Sequence, residues 1–274
     1  MPFQHLIGFG VAGNFAGHLE QAGEDKDFQT VAVKSATQPK AIFPFYVPAN
    51  GTHFLNTYPL CSHTIVPPND ADNLQIEPEV ALLCDITYDN NQVTAITPRA
   101  FAAYNDCSIR KPNAKKISEK KNWGTQTKGI SAHLIELDNL NPGGKLDSFR
   151  IASFHQRAGQ WHAYGEDSPV IGYSYFHQTL LDWVMDRMNH QQDVGPTENI
   201  AAWLASANYP TQTLLSIGAT RYTEYGESHF LQSGDTSVVV VYDETQFSTE
   251  EIRARVARGD LDHPAISALV QNVA

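Results

Sequence analysis

Three carboxylates in this 274-residue chain have a spacing that could do chemistry. The run Glu77-Pro78-Glu79-Val80-Ala81-Leu82-Leu83-Cys84-Asp85 reads as a strand with an acidic start. Side chains two apart on a strand share a face about 6.5–7 Å apart, so Glu77 and Glu79 are expected to point the same way. Like charges so placed repel unless a cation sits between them. A third carboxylate from a neighbouring strand, such as Asp106 in Tyr104-Asn105-Asp106-Cys107-Ser108-Ile109-Arg110, would complete an all-oxygen set suited to Mg²⁺ or Mn²⁺. The same pattern also fits a strand whose first residues simply meet water.

A second candidate lies at the start. Gly8, Gly10 and Gly13 match the G-x-G-x-x-G fingerprint of dinucleotide sites and follow a short apolar run. No acid ends the apolar run Thr30-Val31-Ala32-Val33 to meet a ribose hydroxyl, although Lys34 and Ser35 would suit a 2′-phosphate. An NADP-dependent oxidoreductase is therefore the alternative reading. Against it stand the Pro-rich loops and hairpin signals of the next hundred residues, where alternating strands and helices would be needed. Glycines at these positions equally let a turn pass close to a core.

The elements that must position these groups follow from pattern and punctuation. Tyr88-Asp89-Asn90-Asn91-Gln92 between the runs 79–87 and 92–97 is a hairpin signal, which puts the glutamates in an antiparallel sheet. Pro39, Pro44, Pro48, Pro59, Pro67 and Pro68 mark extended chain and tight turns, and Asn141-Pro142-Gly143-Gly144 marks another turn. Phe176, Leu180, Trp183, Val184 and Met188 recur at helical spacing over 175–190, and Gly195-Pro196-Thr197 leads into a second helix reaching about Ala207. Runs 214–217 and 237–241 read as strands. Ser248-x-x-Glu251 is a capping box with Gly259 as the stop, and Asp262-His263-Pro264 opens an expected last helix containing Ile266, Leu269 and Val270. Lys111, Lys115, Lys116, Lys120 and Lys121 form a basic run, read as a solvated face or as a cover favouring anionic substrates.

Composition narrows the partners. The chain has 19 Lys and Arg against 30 Asp and Glu, a net charge of −11, which disfavours nucleic acid or an anionic membrane surface. Cys61, Cys84 and Cys107 lack metal-site spacing and read as reduced core residues. No apolar run approaches the ~18–20 residues needed to span a bilayer, and the start lacks signal-peptide character, so a cytoplasmic location is expected.

Taken in order, the motifs resemble the fumarylacetoacetate hydrolase superfamily. Gly13-Asn14-Phe15-Ala16-Gly17-His18, Glu77-Pro78-Glu79, Asn105-Asp106-Cys107-Ser108-Ile109-Arg110, the pair Trp123 and Lys128, and Gly234-Asp235 match its successive motifs over roughly residues 8–243. The resemblance implies an α+β, mixed β-roll or barrel-like fold of the fumarylacetoacetase C-terminal type with peripheral helices. It spans a single domain over 1–247, with 248–274 as a helical extension. It also implies a homodimer, and Mg²⁺ or Mn²⁺ on Glu77, Glu79 and Asp106. The activity implied is a carbon–carbon bond hydrolase or lyase acting on a small 2-oxo or 1,3-dicarbonyl acid. His18 would be the general base, Lys128 would neutralise oxyanion charge, and Arg110, Asn113 and Thr220 would meet the substrate. The acid that usually orients the histidine is Gln21 here, leaving Glu20 or Glu24 as substitutes. Lys111, Ser131-Ala132-His133 and Gly218-Ala219-Thr220 also depart from the pattern. Hydrolysis, decarboxylation, hydration, isomerisation and a non-catalytic role all stay open.

Overall fold

The computed structural model describes residues 3–28, 31, 33–68, 73–110 and 114–274. In chain order the strands are β1 Ile7–Ala12, β2 Ala41–Tyr46, β3 Thr64–Ile65, β4 Leu74–Gln75, β5 Pro78–Asp89, β6 Gln92–Asn105 and β7 Ser108–Ile109. They continue with β8 Gly129–Ile130, β9 Ile135–Glu136, β10 Phe149–Arg157, β11 Gln160–Pro169, β12 Gln212–Ser216, β13 Thr236–Asp243 and β14 Ile266–Val273. The helices are α1 His18–Gln21, α2 His177–His190, α3 Ile200–Ser206, α4 Glu224–Ser228 and α5 Thr249–Arg258.

One sheet runs β2-β1-β12-β5-β6-β8, with β9 also on β6; a second runs β11-β10-β13-β14-β3. Strands β1 and β12 pair in parallel, whereas β5 and β6 pair antiparallel along almost their whole length. Asn90 and Asn91 both take positive φ at the tip of that hairpin, the conformation that asparagine tolerates and a two-residue turn needs. The main apolar cluster joins the sheets: Leu82 and Phe101 meet Ile151, Val239 and Leu269, and α2 adds Leu180 and Val184. The expected α+β, mixed-sheet architecture with peripheral helices is the one observed. All three cysteines are buried and free. No helix among the described residues is long and apolar enough to cross a membrane.

Three expectations change. The tail does not end in a helix: Ile266–Val273 is strand β14, seated between β13 and β3. Ile266, Leu269 and Val270 mimic helical spacing, but from Leu269 onward burial alternates residue by residue and Val270 faces solvent. The residues from 248 onward thus supply an interior strand of the second sheet, with the capped helix α5 before it.

The glycine-rich start is not a phosphate-binding turn. Gly8 and Gly10 lie inside β1, opposite β2, where a Cβ would collide with the rings of Phe45 and Phe43. The neighbouring strand β2 is antiparallel, and α1 is a single turn, so the strand–helix–parallel-strand unit of a dinucleotide site does not form. Of the expected strand Thr30–Val33, residues 30 and 32 lie outside the described residues, and Val31 and Val33 are not in a strand.

The third change concerns the basic run. Lys120 and Lys121 are buried, 6% and 4% exposed, so its end is not a solvated face. Lys116 ties it to the loop after α2, donating to the Asp193 carboxylate and to the carbonyls of Gly195 and Thr197. Lys111 lies outside the described residues.

Strand β14 also braces the open end of the β5–β6 hairpin. Gln271 Oε1 accepts from Asn105 Nδ2 at 3.1 Å, its Nε2 donates to the Cys61 carbonyl at 3.1 Å, and Asn105 Oδ1 in turn accepts from the Glu77 backbone N–H. Gln271→Leu leaves buried polar groups of Asn105 and Cys61 short of partners. It should lower stability by about 1–3 kcal/mol, read as a lower denaturation midpoint at unchanged slope.

Candidate metal centre

The β5–β6 hairpin delivers the acids. Glu77 immediately precedes β5, Glu79 is its second residue, and Asp106 follows the last residue of β6. The Asp106 N–H donates to the Glu77 carbonyl at 2.9 Å, locking the two ends together. Glu77, Glu79 and Asp106 are 2%, 2% and 0% exposed, and one carboxylate oxygen from each lies within 4.8 Å of the others. That donor set fits a hard divalent cation. With metal–oxygen distances of about 2.1 Å, only a small contraction would bring the three oxygens into one sphere.

Four cations surround these acids. Lys121 Nζ contacts Glu77 and lies 2.7 Å from Asp106, and Lys128 Nζ lies 2.5 Å from Asp106 while donating to the Cys107 carbonyl at 3.1 Å. Arg110 Nη1 reaches Glu77 at 2.7 Å and Glu24 at 2.9 Å, its Nε donates to Gln75, and its Nη2 donates to the Tyr222 hydroxyl. Lys120 Nζ meets Glu24 at 3.2 Å. Each Asp106 oxygen thus has one ammonium against it, Lys121 at Oδ2 and Lys128 at Oδ1. Glu24 adds a further buried carboxylate, paired with Arg110 and Lys120.

The electrostatics separate the acids. Burial alone would raise Glu77, but Lys121 and Arg110 hold it well below the usual carboxylate range. Burial and then repulsion from Asp106 push Glu79 well above that range, and the Gly218 N–H, 2.9 Å away, is its hydrogen-bond donor among the described residues. Glu79 is thus the acid with the strongest unmet demand for positive charge. Burial opposes the charge on Lys121, yet Asp106 and Glu77 carry it above the ordinary lysine range; for Lys128 burial wins and its affinity for the proton falls.

The loop after β1 brings His18 to the same place. Asn14 is buried, and its side chain accepts from the Tyr175 N–H at 2.8 Å and donates to the carbonyls of Ile217 and Tyr175. It straps the loop to the end of β12, beside Gly218. Gly17 at φ 81 then starts α1, and His18 Nε2 stands 4.0 Å from Glu77 Oε1 with its ring against Tyr222. Burial lowers the imidazole to about 4, so it is neutral near pH 7, and its Nδ1 has no hydrogen-bond partner among the described residues.

The remaining expected site residues divide. Glu24 is in the cluster, but it pairs with Arg110 and Lys120 and makes no direct bond to His18. Glu20 is exposed on α1 and is not a partner for the histidine, because one helical turn points it to water. Gln21 exchanges hydrogen bonds with the Tyr222 backbone. Arg110 has every nitrogen engaged, so it stiffens the cluster and presents no free fork to a substrate. Thr220 is buried, with its hydroxyl unpartnered, next to Ala219 on the cavity wall. Asn113 lies outside the described residues. Sequence reading missed Lys120, Lys121, Tyr222 and Gln75 as members of the site; the signal available was that buried acids require buried cations.

His18, Glu24, Glu77, Glu79, Phe43, Ile117 and Lys121 line a cavity of about 20 Å³, room for roughly one water molecule.

A mixed sheet presenting a buried carboxylate triad at the open end of one hairpin defines a fold of the fumarylacetoacetate hydrolase type. Three solved structures share it. A candidate fumarylacetoacetate isomerase/hydrolase from Oleispira antarctica matches at 11% identity and a TM-score of 0.55, covering 100% of this chain and 96% of that one. Cg1458 with an inhibitor matches at 14% and 0.55, covering 97% and 76%. The 5-carboxymethyl-2-hydroxymuconate delta-isomerase from Mycobacterium smegmatis matches at 15% and 0.51, covering 97% and 78%. At these identities the likeness establishes the fold. Residues 24–273 match the model of a family of unknown function (DUF5718), and the chain belongs to that family. No curated protein sequence matches it.

Glu198 sits beside the buried lysine segment, and burial raises its carboxyl to about 7. The folded chain therefore holds a proton that the unfolded chain has lost between about pH 4.5 and 7, so this group's contribution to stability falls as pH rises through that window. Glu198→Gln should flatten the slope, and its Tm relative to the parent should climb between about pH 5 and pH 8.

Proposed function

We propose that the chain is a divalent-metal-dependent hydrolase or lyase that cleaves a carbon–carbon bond in a small anionic 2-oxo or 1,3-dicarbonyl acid. Glu77, Glu79 and Asp106 would hold Mg²⁺ or Mn²⁺. The convergence of three buried carboxylates, of which Glu79 has no ion pair among the described residues, carries this reading. When bound, a divalent ion supplies Lewis acidity toward a chelating carbonyl.

The chain's own groups have consistent parts. His18 is neutral and its Nδ1 is free to accept a proton from water, although its low basicity asks for help from the nearby charges of Glu77 and Glu24. Lys128, against Asp106, would be the cation that neutralises negative charge developing on a carbonyl oxygen. Arg110 keeps Glu77 ionised and aimed inward. Thr220 and Asn113 complete the proposed substrate contacts. The same groups would serve decarboxylation, hydration or isomerisation, and the assembly is proposed to be a cytoplasmic homodimer.

A second reading, a non-catalytic protein keeping the fold, is favoured by the small cavity and by the ion pairs that fill it. Glu79→Ala should abolish Mn²⁺ binding in calorimetry, and unchanged binding would remove the basis of the proposal. Turnover on a panel of acylpyruvates and oxaloacetate, with and without Mg²⁺, separates enzyme from non-catalytic relative. Light scattering at working concentration should give twice the chain mass of 30.3 kDa.

A further inference from the structure

Lys121 differs from the other three cations in what holds it. Arg110 is tied to Gln75 and Tyr222 as well as to acids, Lys128 donates to a backbone carbonyl, and Lys120 meets Glu24 at the edge. The Lys121 ammonium contacts Glu77 and Asp106, two of the three candidate ligands, and lies 5.2 Å above the centre of the Phe43 ring. Gly10 leaves the room that ring occupies.

We propose that the Lys121 ammonium is a resident, exchangeable cation that stands between Glu77 and Asp106 where a divalent ion would bind, so that the ion is admitted only when Lys121 withdraws. This rests on the metal reading above and adds to it a competitor built into the chain.

Three observations carry it. An ammonium bridging two carboxylates and an ion coordinated by the same oxygens claim one place, since both must lie within about 3 Å of those oxygens. Arg110, Lys121 and Lys128 already stand against Glu77 and Asp106 at close range, so a divalent ion added beside them would bring more positive charge into a buried cluster. Withdrawal of Lys121 removes one positive charge and frees Glu77 and Asp106 together. Finally, the two buried Asp106 oxygens are held separately, Oδ2 by Lys121 and Oδ1 by Lys128, so Asp106 keeps a cation when Lys121 withdraws. Lys121 follows the short turn Ile117–Lys120, and its ammonium sits at the end of a flexible four-carbon stem.

The experiment uses full-length protein and Mn²⁺ as the probe, followed by electron paramagnetic resonance and calorimetry. Lys121→Met should bind Mn²⁺ on the order of 100-fold more tightly than the parent chain, the scale of removing one close opposing charge. Crystals of the parent soaked in Mn²⁺ should show the ion among Glu77, Glu79 and Asp106 with the Lys121 ammonium turned away from both of its acids. That soak also decides the matter if Lys121→Met does not fold. Equal affinities in parent and variant, or an ion seated among the three acids with Lys121 still bridging two of them, would overturn the exchange while leaving the metal reading intact. Binding in neither protein overturns both.

Discussion

Four carboxylates packed into a water-poor interior are the constraint on which this structure turns. Each ionised acid there costs far more than at the surface, and two within a few ångströms repel strongly unless cations intervene. The chain meets that demand with an arginine and three lysines drawn from residues 110–128. Every other feature of the site, from the histidine loop to the small cavity, is arranged around this alternation of charge.

Holding such a cluster requires a stiff frame, and the two sheets supply it. The long β5–β6 hairpin fixes Glu77, Glu79 and Asp106 relative to one another, and the buried chain of Gln271, Asn105 and Glu77 ties the hairpin mouth to the second sheet. Asn14 does the same for the loop carrying His18, linking it to the end of β12 and to Tyr175. These are uncharged side chains whose hydrogen bonds are all internal, so they set positions without disturbing the charge balance.

The fold is shared with proteins of 11–15% identity. Gln21 bonds the Tyr222 backbone, and Lys121 reaches into the acid cluster. A shared fold does not bring a reaction with it; the groups around the three acids decide what chemistry, if any, proceeds.

Local signals in the sequence were sufficient for the hairpin at Asn90-Asn91, a helix over about 175–190, the Ser248 cap and the shared face of Glu77 and Glu79, because each depends on neighbours a few residues away or on strand alternation; Asp106 joins the two glutamates only through the pairing of β5 with β6. Three features were decided only by tertiary contact. Ile266–Val273 became a strand because β13 offered it an edge, Gly8 and Gly10 were claimed by the rings of β2, and Lys120 and Lys121 turned inward although the run reads as a solvated face. The physical reason is the same in all three: backbone pairing, ring packing and charge neutralisation are supplied by residues far away in the chain, and a linear pattern does not record which distant partner will arrive.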